Sequence, residues 1–281
     1  MKALRLFKNQ DLVVVEVNGS FQVVKNWTWD DLFTKDDAFN RITMHIDRGQ
    51  YEIWEDFNKD FIEPPINSQE LWASGVTYLR SKEGREEESQ ASGGASFYDK
   101  VYYAERPELF FKATKHRIVG HGYAVRIRKD STWNVPEPEL TLAINKDGHI
   151  IGYTIGNDMS SRSIEGENPL YLPQAKTYDG SAALGPCLLL TNTALNPMSL
   201  IMLQIMRSSI LVFEDQISID QMKRKHHELV EYLFRECSFP FGVLLMTGTG
   251  IVPSQDFTLE IGDEINISID GIGVLMNTVS N

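Results

Sequence analysis

Between residues 139 and 144 the chain reads Glu-Leu-Thr-Leu-Ala-Ile, alternating with a period of two, the signature of a strand with one face in a core. Asn145-Lys-Asp-Gly148 supplies turn chemistry, and residues 149–158 predict a second strand. A four-residue loop closed by Ile144 and His149 would pair the two antiparallel, with Glu137 opposite Gly156 and Glu139 opposite Thr154. Leu140, Leu142, Ile144, Ile151, Tyr153 and Ile155 then form a core face. The other face carries the small residues Thr141, Ala143, Gly152, Thr154 and Gly156, with three carboxylates, Glu137, Glu139 and Asp158, at one end.

The same reading, extended along the chain, predicts strands at 12–17 and 20–24 and a short helix within 29–39. The Pro-Pro pair in 61–66 marks a linker. A small β-rich N-terminal domain is therefore expected over 1–70 and a larger one over 71–281, mostly strands joined by Gly and Pro loops. Met222, His226, Leu229, Leu233 and Phe234 recur at helical spacing and predict a helix over 219–236, capped by Ser218 or Asp220. His226 and His227 there read as structural or exposed. Residues 81–98 are polar and punctuated by glycine, which predicts a surface loop, with a mobile lid as the sharper alternative.

Composition narrows the class. The 281 residues, 42% hydrophobic and 23% charged, are those of a globular chain able to bury a proper core. A formal charge of −12 offers no basic footprint for nucleic acid. No apolar run approaches the ~20 residues of a membrane span. Charges interrupt the apolar residues of 1–8 too often for a signal peptide. Cys187 and Cys237 stand far apart, outside any CxxC pattern, so no disulfide framework or thiolate metal site is expected. These features together predict a reducing, cytoplasmic setting.

Three carboxylates on one strand face raise one another's pKa values or bind a cation. Hard oxygen ligands suit Mg²⁺, Mn²⁺ or Ca²⁺ better than zinc. A solvated strand face is the alternative for Glu137 and Glu139. Thr247-Gly-Thr-Gly250 ends an apolar strand with backbone N–H groups suited to a carboxylate, though a plain tight turn would read the same way. It lacks the Gly-Lys of a phosphate-binding loop.

In order, the chain presents Glu137-Pro-Glu139-Leu140, Gly152-Tyr-Thr-Ile-Gly-Asn-Asp158-Met-Ser160-Ser-Arg162, Lys176, Leu184-Gly-Pro186 and Thr247-Gly-Thr249. Over about 71–279 this resembles the fumarylacetoacetate hydrolase family. The resemblance implies a mainly β, α+β fold, a mixed β-sandwich roll, for that region. It also implies a divalent metal, Mg²⁺ first, on Glu137, Glu139 and Asp158, and a homodimer or homotetramer. Two departures stand out. Ser81 occupies the position where the C–C hydrolases of the family carry a histidine that, with a glutamate, activates water, and Ser163 stands where aspartate is usual.

Residues 164–176 and 105–112 look like the members of the family that dehydrate 2-keto-3-deoxy-D-arabinonate. By that similarity the substrate is a small 2-oxo acid and the product 2,5-dioxopentanoate. Glu108 and Lys176 become candidate catalytic residues, and Thr249, Gly248, Lys112 and Arg162 candidate substrate-binding ones. Glu108 reads equally as an ordinary first-turn or loop carboxylate. An acylpyruvate hydrolase or oxaloacetate decarboxylase would use the same metal and enolate chemistry. A non-catalytic metal-stabilised binding protein is a third reading, which a lysine beside three carboxylates disfavours.

Overall fold

Val13, Val14 and Val15 are all fully buried, so the strand they form must be covered on both faces. The computed structural model, which describes residues 3–89 and 95–281, shows what covers it. The chain opens with β1 (Ala3–Asn9), β2 (Leu12–Val17) and β3 (Ser20–Thr28), then α1 (Asp31–Thr34), α2 (Ala38–Asp47) and β4 (Tyr51–Ile53). β5 (Glu70–Gly75) leads into α3 (Leu79–Ser89) and α4 (Ala95–Tyr103), followed by β6 (Glu108–Ala113), β7 (Ile118–Val119), β8 (Ala124–Arg126) and β9 (Asn134–Val135). The central hairpin is β10 (Pro138–Ile144) and β11 (Ile150–Asp158), and after it come β12 (Ser160–Ser161), α5 (Arg162–Glu167) and α6 (Leu172–Lys176). The last third holds β13 (Ala182–Thr191), β14 (Leu200–Arg207), β15 (Ile210–Ser218), α7 (His226–Phe234), β16 (Val243–Met246), β17 (Glu264–Ile269) and β18 (Gly273–Ser280).

Among the described residues the large sheet runs β4-β3-β2-β1-β13-β11-β10-β16-β5-β6, with β7 beside β13, and a second sheet runs β15-β14-β17-β18-β8. One core lies between the sheets, where Leu140, Leu142, Tyr153 and Ile155 meet Ile201, Leu203, Ile265 and Ile267. The other lies on the far face of the large sheet, where Leu32, Phe33, Phe39 and Ile42 of the first two helices cover Leu4, Val13, Val15, Ala143 and Leu244. This is the expected mainly β, α+β architecture. No helix among the described residues is long and apolar enough to cross a membrane.

The hairpin departs from its expected register. Glu139 pairs with Gly156, not Thr154, and Thr141 pairs with Thr154. The loop holds one residue more, since Ile144 pairs with Ile150, and a bulge beside Ile144 absorbs another. Each one-residue slip inverts the faces, and two restore them. Ile151, at the bulge, is the exception: it packs on the helix-covered core instead of the expected face.

Other segments also differ. The helix expected in 29–39 is two helices, α1 and α2. The expected linker at 61–66 is packed into the fold: the Ile62 N–H donates to the His121 carbonyl at 3.0 Å, and Glu63 pairs with buried Lys8 at 2.6 Å. The loop expected at 81–98 is instead the two helices α3 and α4, with 90–94 outside the described residues. The helix expected over 219–236 begins only at His226, where Glu228 accepts from the Lys225 N–H at 3.3 Å. Neither Ser218 nor Asp220 caps it.

Candidate functional site

Strands β11, β16 and β5 end, and β10, β6 and β13 begin, at one edge of the large sheet. Alternation delivers Glu137, Glu139 and Asp158 to that edge, all buried, with a carboxylate oxygen of each within 4.8 Å of the others. The Asp158 N–H donates to the Glu137 carbonyl at 2.9 Å, which continues the hairpin ladder to the end of the cluster. After β16 the chain turns at Gly248, whose N–H donates to Glu139 Oε2 at 2.5 Å. Gly248 has φ +91°, and a side chain there would overlap the Thr77 hydroxyl, so this turn requires glycine.

Lys176, at the end of α6, donates to Glu137 Oε2 at 2.7 Å, Asp158 Oδ2 at 2.9 Å and Ser160 Oγ at 2.5 Å. Lys112 on β6 reaches Asp158 Oδ1 at 2.5 Å and also donates to the Met159 and Lys176 carbonyls, the former at 3.1 Å. Three partners use all three N–H bonds of an ammonium group. Arg162 Nη2 lies 3.2 Å from Glu137 Oε1. Thr249 and Gly248 line a small cavity of about 10 Å³ with Ser81, Arg85, Glu137 and Arg162. The Thr249 hydroxyl is shared with the backbone of Ile251, accepting its N–H at 3.1 Å and donating to its carbonyl at 3.2 Å.

Glu108 opens β6 opposite Gly75. Its Oε2 is buried with no hydrogen-bond partner among the described residues and rests where a side chain on residue 75 would stand. Gly75 is therefore what admits this carboxylate. A larger cavity of about 610 Å³, lined by Pro107, Leu109, Asn168, Pro169, Leu170 and others, adjoins Glu108.

These surroundings divide the carboxylates electrostatically. Burial alone would raise Glu137, but the charges of Lys176, Arg162 and Arg85 outweigh it and hold its carboxyl well below the usual range. Burial raises Glu139, and the charges of Asp158 and Glu137 raise it further, against Lys176 and the Gly248 N–H. Burial also raises Glu108, opposed by Arg85 and Lys176. Burial would lower Lys176, yet Asp158 and Glu137 hold it above its ordinary value, while burial wins at Lys112 and lowers it. A carboxylate set that repels itself, built from hard oxygens, fits a divalent cation such as Mg²⁺.

The structure thus brings together all nine sequence-predicted site residues, with the ammonium groups of Lys112 and Lys176 both turned to protein partners. It adds four that sequence reading missed: Arg85, Glu165, Ser160 and Gly75. Arg85 forms an ion pair with Glu165, and both are buried. Glu165 lies three residues beyond Arg162 on α5, a helical spacing that could have pointed to it; Arg85 sits in a charged run that gave no such signal. Ser81 is spent locally, accepting the Tyr78 N–H at 3.2 Å and donating to the Tyr78 carbonyl at 2.8 Å. Ser163 lies 2.9 Å from the Ser131 hydroxyl and accepts the Thr132 N–H at 3.2 Å, which pins the loop before β9.

Comparison with known proteins places this site among relatives. The chain is 47% identical over 217 residues to a probable 2-keto-3-deoxyxylonate dehydratase of Haloferax volcanii, covering 77% of this chain and 74% of that one. It is 46% identical over 220 residues to the 2-dehydro-3-deoxy-D-arabinonate dehydratase of Saccharolobus solfataricus, covering 78% and 74%. A solved structure of 2-keto-3-deoxy-D-arabinonate dehydratase with magnesium and 2,5-dioxopentanoate superposes with a TM-score of 0.81 at 34% identity, covering 100% of this chain and 99% of that one. Residues 85–280 match the model of the fumarylacetoacetate (FAA) hydrolase C-terminal family, and the chain belongs to that family.

Proposed function

We propose that this chain is a Mg²⁺-dependent hydro-lyase that converts 2-keto-3-deoxy-D-arabinonate into 2,5-dioxopentanoate, a step of pentose catabolism in the cytoplasm. The observation that carries the reading is the buried Glu137–Glu139–Asp158 triad beside Lys176 and Glu108, in a chain whose Ser81 is tied to its own helix start. Relatives at 46–47% identity bear dehydratase names, and the related structure holds magnesium and 2,5-dioxopentanoate.

Glu137, Glu139 and Asp158 would hold the cation, which when bound supplies a Lewis acid for the carboxylate and keto oxygens of a 2-oxo acid. Glu108, with its raised pKa, takes a proton from C3. The same carboxyl, now protonated, returns a proton to the C4 oxygen, so that the C4–O bond breaks and water leaves. Loss of a C5 proton with protonation at C3 then gives the C5 enol, and protonation at C4 with loss of the C5 hydroxyl proton turns it into the aldehyde. Lys176, its three donors engaged by Glu137, Asp158 and Ser160 and its charge held by the two carboxylates, stabilises negative charge on the substrate through its charge. The Gly248 turn, Thr249 and Arg162 border the substrate carboxylate. Lys112, its donors all engaged, holds Asp158 in place.

Self-association as a homodimer or homotetramer is part of the proposal. Ile210, Leu211 and Val212 are exposed on β15, an edge strand, and an edge of that kind calls for a cover.

The test is product analysis with Mg²⁺ on 2-keto-3-deoxypentonates and acylpyruvates. An intact five-carbon skeleton with an aldehyde at C5 is expected. Pyruvate plus a shorter fragment would overturn the assignment.

A further inference from the structure

We propose that Arg85 holds the hydroxyl-bearing end of the substrate, beyond C3, and that buried Glu165 positions it. The inference rests on the dehydratase reading and adds a recognition element to it. Lys112, Lys176 and Arg162 are each ion-paired to a member of the carboxylate triad. Arg85 differs. Among the described residues it forms an ion pair with Glu165 on α5, a carboxylate outside the triad. Both side chains are buried, Arg85 at 4% exposure and Glu165 at 0%.

Arg85 nevertheless borders the site, lining the small cavity with Ser81, Glu137, Arg162, Gly248 and Thr249. It approaches from α3, not from the sheet edge that carries the triad. Gly84 beside it lies close to Val252 and to the Arg162 guanidinium, which seats that turn of α3 against the site.

A 2-oxo acid whose C1 and C2 oxygens face the triad, and whose C3 faces Glu108, leaves two hydroxyls, on C4 and C5, to be recognised. A guanidinium offers a rigid planar fork that suits two neighbouring oxygens. It keeps its proton, so its part is to donate hydrogen bonds and stabilise charge on the departing C4 oxygen. Glu165 fixes that fork, because a buried arginine with five donors needs an oriented partner.

Two reactions on the same protein separate this role from a structural one. Exchange of the C3 hydrogens of 2-oxopentanoate in D₂O, followed by NMR, needs the triad and the base but presents no hydroxyl at C4 or C5. Dehydration of 2-keto-3-deoxy-D-arabinonate needs both hydroxyls. Arg85→Gln is expected to lower kcat/KM for dehydration about 10- to 100-fold more than it lowers the exchange rate, the usual worth of a charged hydrogen bond, since loss of its charge beside Glu137 and Glu108 touches both reactions alike. Glu165→Gln is expected to raise KM for the pentonate by roughly tenfold and to lower the exchange rate by less than it lowers dehydration.

Should either single variant fail to fold, the double variant Arg85→Met/Glu165→Met leaves no unpaired buried charge and carries the same test. Equal loss of both reactions would overturn the proposal by assigning Arg85 to the base or the triad. An unchanged dehydration rate would overturn it as well. Wild-type protein that exchanges C3 hydrogens yet dehydrates no 2-keto-3-deoxypentonate would instead overturn the dehydratase reading, and this proposal with it.

Discussion

A carboxylate at position 108 exists in its present place only because residue 75 has no side chain. Glu108 Oε2 is buried without a hydrogen-bond partner among the described residues, and burial raises its pKa, which suits a group that must accept a proton from carbon. Glu108→Gln keeps the shape and removes the basicity. It is expected to lower kcat by about 10²–10⁴ while the Mg²⁺ dissociation constant, measured by titration calorimetry, stays close to wild type. Gly75→Ala approaches the same end from the other strand, since its methyl group would displace the Glu108 carboxylate. Its kcat is expected to fall at least tenfold, about the smallest loss consistent with misplacing a general base, with Mg²⁺ binding again retained. Ser81→Ala removes only local hydrogen bonds to Tyr78 and is expected to change kcat by less than about tenfold. A larger loss in Ser81→Ala than in Glu108→Gln would mean that the base lies elsewhere on α3.

At the scale of elements, the triad was legible because a strand's period of two assigns faces, and the register departs from the expected one by two residues, which leaves them unchanged. The register itself was not: the choice between a four-residue and a five-residue loop leaves no mark in Asn145-Lys-Asp-Gly148, and a bulge at Ile144 has no sequence signal. In the structure Asn145 Oδ1 accepts the Asp147 and His149 N–H groups at 3.1 and 2.8 Å, which stretches the loop to His149. Residues 81–89 hid their helix for another reason. Glycine and serine suggested a loop, whereas the glutamate, arginine and lysine between them are good helix formers. The start of α7 was misplaced because the apolar spacing runs on past Asp220. His226 sits in its first turn, where burial, then the charges of His227 and Lys225, pull its imidazole from 6.5 down to about 4; the positive end of the helix acts in the same sense. The unfolded chain therefore takes up this proton first as pH falls. The stability His226 contributes is complete above about pH 6.5 and is lost by about pH 4, up to about 2 kcal/mol of it by pH 5. Urea unfolding at pH 7 and pH 5 is expected to show a smaller drop for His226→Gln than for wild type; equal drops would rule out this histidine as a source of acid sensitivity.

For the whole molecule, the sequence revealed one core face of the hairpin but not that the large sheet is buried on both sides. The second core is assembled from helices α1 and α2 and strands distant in the chain, and no local pattern announces such a contact. The site lies where that doubly covered sheet ends, which sets up a conflict between fold and function at Glu139. Its folded pKa is raised by burial and by Asp158 and Glu137. The folded protein therefore holds this proton more tightly than the unfolded chain, and stability falls as pH rises above the unfolded value of 4.5. At neutral pH without metal, an ionised Glu139 works against folding. Glu139→Gln keeps an acceptor for the Gly248 N–H and removes the charge, so metal-free variant is expected to melt above metal-free wild type. Mg²⁺ should reverse the order. At 100-fold over its dissociation constant a ligand of the folded state contributes about 2.7 kcal/mol, or about 5 °C for a chain of this size, and the variant should gain far less. Thermal melts of both proteins at pH 7.5, with EDTA and with Mg²⁺, check the crossing. If Glu139→Gln melted below wild type in EDTA, or gained as much from Mg²⁺, the carboxylate would not be held at the fold's expense for a cation.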